Sequence, residues 1–225
     1  TTTSTGSVNF GLAALGGTVT TSGDVTTANA NITFTPATTL GAAVALVSAG
    51  GTITFTGDLS GTFDLSLTAG AGHINFDSTV GGGDDLADIT IVSATNVIAD
   101  AAFSAASIDQ TTGTGTTTFS GVLTLTTLTT RAAAYNLAIN GGGTIPDDCT
   151  LINTGTVAIG NTGVATTFTG GLDTTGTGAV TLTGTIQTAG GTDIDFAAVT
   201  LAAQTTLNSA GGDIVITTIA GGGQD

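Results

Sequence analysis

The chain has 225 residues, of which 36 are glycine; its 16 acids are all aspartate, Arg131 is its one basic side chain, and the formal net charge is −15. Threonine fills roughly a quarter of the positions and most helix-favouring residues are scarce, so a helix bundle or a βαβ chain is excluded and an all-β fold remains. One arginine gives no means of gripping phosphates, which excludes nucleic acid and an anionic membrane surface as expected partners.

Hydrophobic residues make up 40% of the chain and recur along its whole length, which is not the composition of a disordered tail. No apolar run of about 18 residues is present to cross a bilayer. In chain order, one short element returns again and again. Gly6-Ser-Val-Asn-Phe10 opens the series, and Thr18-Val-Thr20 and Thr33-Phe-Thr35 carry the same alternation. Gly51-Thr-Ile-Thr-Phe55, Gly72-His-Ile-Asn-Phe76, Gly115-Thr-Thr-Thr-Phe119, Gly155-Thr-Val-Ala-Ile159 and Gly178-Ala-Val-Thr-Leu182 follow. Gly191-Thr-Asp-Ile-Asp-Phe196 is an offset copy, and Gly212-Asp-Ile-Val-Ile216 closes the set. The pattern is a glycine followed by alternating polar and apolar residues, and its spacings reduce to a unit of about 20 to 23 residues, one turn of a solenoid.

Period-two alternation places apolar side chains on one face of each strand and Thr, Ser, Asn or Asp on the other. No two-residue turn joins matched strands as in a hairpin, so the spacing predicts parallel strands stacked turn upon turn. Roughly ten such rungs at about 4.8 Å make a rod about 50 Å long, with Phe and Ile in internal columns. Glycine is expected at corners that need a positive φ, threonine on outward faces with its hydroxyl in ladders between rungs, and aspartate in turns where it bonds its own backbone. The whole of 1–225 reads as one solenoid domain, a segment of a longer chain or a filament subunit.

Ser48-Ala-Gly-Gly-Thr-Ile-Thr-Phe55, Leu65-Ser-Leu-Thr-Ala-Gly-Ala-Gly-His-Ile-Asn-Phe76, Ser107-Ile-Asp-Gln-Thr-Thr-Gly-Thr-Gly-Thr-Thr-Thr-Phe119 and Leu207-Asn-Ser-Ala-Gly-Gly-Asp-Ile-Val-Ile216 resemble the strand repeats of filamentous-haemagglutinin-like bacterial surface proteins. The resemblance runs from Gly6 to Gly223 and is one of repeat texture. It implies a right-handed parallel β-helix serving as a secreted adhesin, fibre or cell-surface stalk, with no catalytic residues to carry over.

The candidates for chemistry are few. Lyase action on acidic polysaccharides needs cations, and Arg131 stands alone. Hydrolysis needs two or three carboxylates, for which Asp84 with Asp85 and Asp88, or Asp193 with Asp195, are the candidates; no tryptophan and only Tyr135 are available as sugar platforms. His73 is the one histidine, so no histidine-based triad or zinc site forms, and it is expected on an outward strand position. Cys149 is expected as a core or turn residue. Calcium is the candidate cofactor, at Asp84, Asp85 and Asp88, with Pro146-Asp-Asp148 as a second loop. The leading expectation is a non-catalytic extracellular rod that associates end to end. A carbohydrate-binding adhesin module, with surface glycans as partners, is the alternative, followed by an ice-binding solenoid built on Thr-x-Thr rows such as Thr52-Ile-Thr54.

Overall fold

The computed structural model describes residues 1–11 and 17–221, which form a parallel β-solenoid with twenty-five strands and no helix. Residues 222 and 223, which end the span of the resemblance, lie outside the described residues. Each turn of the coil lays down three strand runs, here called sides A, B and C in chain order. Their cause is the local pattern: β-branched and aromatic residues alternate with small polar ones, and Gly, Asn or Asp interrupt them every few residues.

Side A is the most regular. Val8–Phe10, Ile32–Phe34, Ile53–Phe55, Ile74–Phe76 and Val97–Ala99 pair in parallel with no slip. Thr116–Phe119, Asn136–Ile139 and Val157–Ile159 continue the stack, which ends in the longer strands Val180–Thr188, Ile194–Asn208 and Ile214–Gly221. Eleven residues stand in each column, from Val8 to Ile219, and successive members are 19 to 24 residues apart. Side B starts at Val19–Thr21 and Thr38–Leu40, and side C at Thr2–Ser4, Val25–Thr27 and Val44–Val47. In the later turns one strand rounds the corner between sides. Phe103–Gln110, for example, begins on side B and ends on side C.

Burial follows the alternation. Ile32, Ile53, Ile74 and Val97 form one inward column of side A and are almost fully buried. The adjacent column holds Phe10, Phe34, Phe55 and Phe76 as parallel rings at centroid distances of 4.6, 5.0 and 5.5 Å. The internal column of phenylalanines expected from the repeat is therefore present at Phe34, Phe55 and Phe76, and it reaches back to Phe10. Ala99 occupies the next place in register, where a ring is missing. Phe103, arriving from side B, fills that space edge-on, 5.3 Å from both Phe76 and Phe119. A ring is lost from the column and recovered from a neighbouring side, so the aromatic core stays continuous.

Three expectations change. The strand-leading glycines Gly51, Gly72, Gly155 and Gly212 do not have a positive φ. They are glycine because the rung below comes too close: a Cβ on Gly72 would overlap the carbonyl of Gly51, and one on Gly155 the carbonyl of Tyr135. The positive φ falls earlier in the corner, where Gly50, Gly70, Gly190 and Gly211 bear out the expectation and even Ala49 (φ 55°) and Ala210 (φ 51°) adopt it. These corners are closed by a buried hydroxyl, Ser48 Oγ donating to the Gly51 carbonyl and Ser209 Oγ to that of Gly212.

Threonine is not confined to outward faces. Thr27, Thr38, Thr117, Thr130 and Thr188 are buried. Thr27, Thr38 and Thr188 donate to the backbone carbonyls of Ala30, Pro36 and Thr192, so the hydroxyl is satisfied next to its own corner while the methyl packs inward.

The aspartates that accept hydrogen bonds mostly reach across rungs and do not bond their own turn. The Oδ1 atoms of Asp24, Asp58, Asp64 and Asp193 accept from the backbone N–H of Ala45, Thr79, Asp88 and Asp213, one turn further on, at 2.8 to 3.2 Å. Asn31, Asn96 and Asn136 do the same for Thr52, Thr116 and Thr156. Asp173 makes the expected local bond, accepting from Thr175 N at 2.7 Å. A carboxylate or amide carried directly on Cβ matches the step of about 4.8 Å between rungs, and glutamate, one methylene longer, would overshoot it with more rotamer entropy to lose.

Candidate functional site

A concentration of carboxylates lies on side C near the last turns. Asp148, Asp173, Asp193 and Asp195 line an open notch of about 350 Å³ together with Thr150, Leu172 and Thr192. Register stacks Asp195 on Asp173, and Asp213 follows Asp193 one rung later. The two carboxylates Asp193 and Asp195, named as a hydrolytic pair, do share this surface. Asp193 is engaged by the Asp213 amide at 2.8 Å, and every other residue lining the notch is Gly, Thr, Leu or Asp, so no ring is present to hold a sugar. Burial, and then the negative charge of Asp173, Asp193 and Asp213, push the Asp195 carboxyl above its ordinary range.

That upward direction makes a testable statement about stability. A carboxyl whose folded pKa is raised binds its proton more tightly in the folded state, so its ionisation weakens the fold as pH rises through the usual carboxylate range. Asp195→Asn is therefore expected to raise the melting temperature at neutral pH. The gain should vanish in acid, below the pKa of an unfolded aspartate, where Asp195 is protonated in both states. Thermal melts of the two proteins across that range read the difference directly.

Of the second cluster named from sequence, Asp84 and Asp85 lie at the turn before the strand Leu86–Ser93 and Asp88 within that strand, and all three residues are exposed. Asp88 accepts from Ser107 Oγ at 2.6 Å, and its own amide donates to Asp64. The Asp84 carbonyl accepts from Gly61 N, and the Asp85 carboxylate leans towards Gly81. In the Pro146-Asp-Asp148 loop, Asp147 accepts from Thr127 Oγ1 at 2.6 Å while Asp148 joins the notch. Among the described residues, no three of His, Cys or Asp gather where they could hold a metal ion.

The remaining singletons are accounted for by their neighbours. His73 stands half-buried on the outward face of side A, with its Nδ1 3.3 Å from the Asn96 side-chain amide. Cys149 is a free, fully buried thiol on side C, and burial followed by the charge of Asp148 pushes it up to about 12, which keeps it protonated and unreactive at neutral pH. Arg131 forks onto Asp109 one rung away, with Nε donating to Oδ1 at 2.9 Å and Nη2 to Oδ2. That contact, more than the charge alone, raises the guanidinium further above its already high pKa.

Sequence reasoning missed a polar inset in the middle of the core. Gln110 and Thr117 are buried, and Thr117 Oγ1 donates to Gln110 Oε1 at 2.5 Å. Tyr135 is also fully buried, its hydroxyl beside the Gln110 carbonyl at 3.4 Å, and burial raises its pKa to about 12. Asn153 completes the group by donating to the Tyr135 carbonyl at 3.1 Å. The signal available in the sequence was Thr117 at a position where the other copies carry Val, Ile or Leu.

No protein-family model matches the chain, and no curated protein or solved structure matches it. The parallel solenoid implied by the repeat texture is present, and the coarse identity of the chain is that of a β-helical repeat protein.

Proposed function

We propose that the chain is a structural and adhesive rod of the extracellular space or bacterial cell surface, without catalytic activity. The observation that supports this reading best is the unbroken register of side A from Asn9 to Ala220, through ten successive turns. The side chains of Asp24, Asp58, Asp64, Asp88, Asp147 and Asp193, with Asn31, Asn96 and Asn136, are engaged in bonds from one rung to the next. The resemblance of the repeats to filamentous-haemagglutinin-like surface proteins agrees with it.

A parallel ladder accepts further strands at its outer rungs, whether they come from a continuation of the same chain or from a second copy. Rods are therefore expected to grow end to end. Electron micrographs of concentrated protein, with and without calcium, should show particles whose lengths are multiples of one rod, about 48 Å for ten steps of about 4.8 Å. Single rods at every concentration, binding glycans on an array, would overturn the self-assembling rod in favour of a carbohydrate-binding module.

A further inference from the structure

We propose that side A is a lateral docking face for a second copy of this chain. The observation is a segregation of charge. The outward positions of side A form two columns of eleven, running from Ser7 and Asn9 to Thr218 and Ala220, and neither contains an aspartate or an arginine. Thr54, Ile98, Thr118, Ala138 and Ala158 are typical members, and His73 is the one titratable side chain among them. Side C, by contrast, carries Asp24, Asp64, Asp88, Asp109, Asp173 and Asp195. The nearest carboxylates to side A, Asp77 and Asp100, stand one position beyond the strand ends, at its rim, and both are exposed.

For a chain with a net charge of −15, a second copy is repelled wherever carboxylates meet carboxylates. Side A against side A avoids this, whereas side B carries the exposed Asp58 beside its strand and side C a row of aspartates. The acids of side C belong to another side of the coil, so face-to-face pairing through side A leaves both acidic stripes outside the contact, where salt screens their repulsion over a Debye length of about 8 Å at physiological ionic strength.

Shape and area agree. Small side chains in strict register make side A flat and self-complementary, as a two-fold contact requires. Five residues per rung at about 3.3 Å, over ten steps of about 4.8 Å, give an area of about 800 Å² per partner, the size of a standard stable interface.

The test is sedimentation velocity on the full chain at about 0.1 mM, where an interface of this size populates the dimer. The wild type should sediment as a paired rod, doubled in cross-section and unchanged in length, in EDTA and at high salt alike. Placing carboxylates on the face with Thr54→Asp and Ala158→Asp should return it to single rods. Thr124→Asp, an exposed position on side B, should leave pairing intact. Circular dichroism of the Thr54→Asp, Ala158→Asp protein separates loss of pairing from loss of fold, and Thr54→Lys with Ala158→Lys provides the same disruption by a second route. A wild type that stays single, a pair that survives both doubly charged variants, or a pair that appears only with divalent cations would overturn the proposal. So would a single rod that shapes ice or binds a glycan through side A. End-to-end growth changes particle length and not cross-section, so the two associations fail or succeed separately.

Discussion

Gly72→Ala is expected to destabilise the solenoid by about 3 kcal/mol, the upper part of the range for forcing an atom into a packed interior. The added methyl would overlap the carbonyl carbon and oxygen of Gly51, and both are backbone atoms of the rung below. No rotamer change relieves such a contact. The ladder itself has to open between Ile53 and Ile74, where two fully buried columns meet. Because Gly72 does not have a positive φ, the loss reports the approach of two rungs and not a forbidden conformation. Gly83→Ala is the control: nothing lies within 4 Å of the position a Cβ would take, and its effect should stay within about 0.5 kcal/mol, as for other surface changes. Chemical denaturation of the three proteins measures both. Equal midpoints for Gly72→Ala and wild type would show that the rungs are not packed as described.

The second large effect is at Phe103. Truncation to alanine is expected to cost about 3 to 5 kcal/mol, the range for a buried ring removed from a core that cannot collapse. Phe103 is 1% exposed and is the one ring that joins Phe76 to Phe119 across the gap at Ala99. This position has a specific second-site partner. Ala99→Phe alone overpacks the core, at a cost of about 1 to 3 kcal/mol. In the Phe103→Ala background the same change restores a ring to the column and should recover part of the loss. A double-mutant cycle should therefore show strong favourable coupling between Ala99→Phe and Phe103→Ala. Additive effects would mean that the two sites do not share one space. Phe63, 40% exposed, provides the comparison, since its truncation removes little buried contact.

Much of this architecture is legible in the sequence because a solenoid converts spacing into neighbourhood. Phe34, Phe55 and Phe76 are 21 residues apart, and that interval alone stacks them. Where the interval drifts, legibility fails. Ala99 breaks the aromatic series, and nothing in the local pattern around Phe103 says that its ring crosses from another side to replace it. The glycines were recognisable as punctuation, but the reason for Gly72 lies in the carbonyl of a residue one full turn away. The aspartates follow the same logic. Asp24 and Asp64 sit beside turns, as their composition suggests, yet their partners Ala45 and Asp88 belong to the next rung and become visible only once the stack is built. Asp84, Asp85 and Asp88 are close in sequence, and only the stack shows that Asp88 accepts from Ser107 one rung on. The neutrality of side A was hidden for a similar reason. It is a property of columns, assembled from every twentieth residue or so, and it does not appear in any single segment.

The most direct test of the account is a set of distances along the middle outward column of side A. Spin labels at Thr33 and Thr118 are four rungs apart, and labels at Thr33 and Thr200 are eight rungs apart. In a Cys149→Ala background, pulsed dipolar measurements should give separations near 19 Å and 38 Å, because each parallel rung adds about 4.8 Å. A linear increase with rung number is the expected result. Separations that fail to grow with rung number, or that place Thr200 as close to Thr33 as Thr118 is, would contradict a single continuous parallel stack.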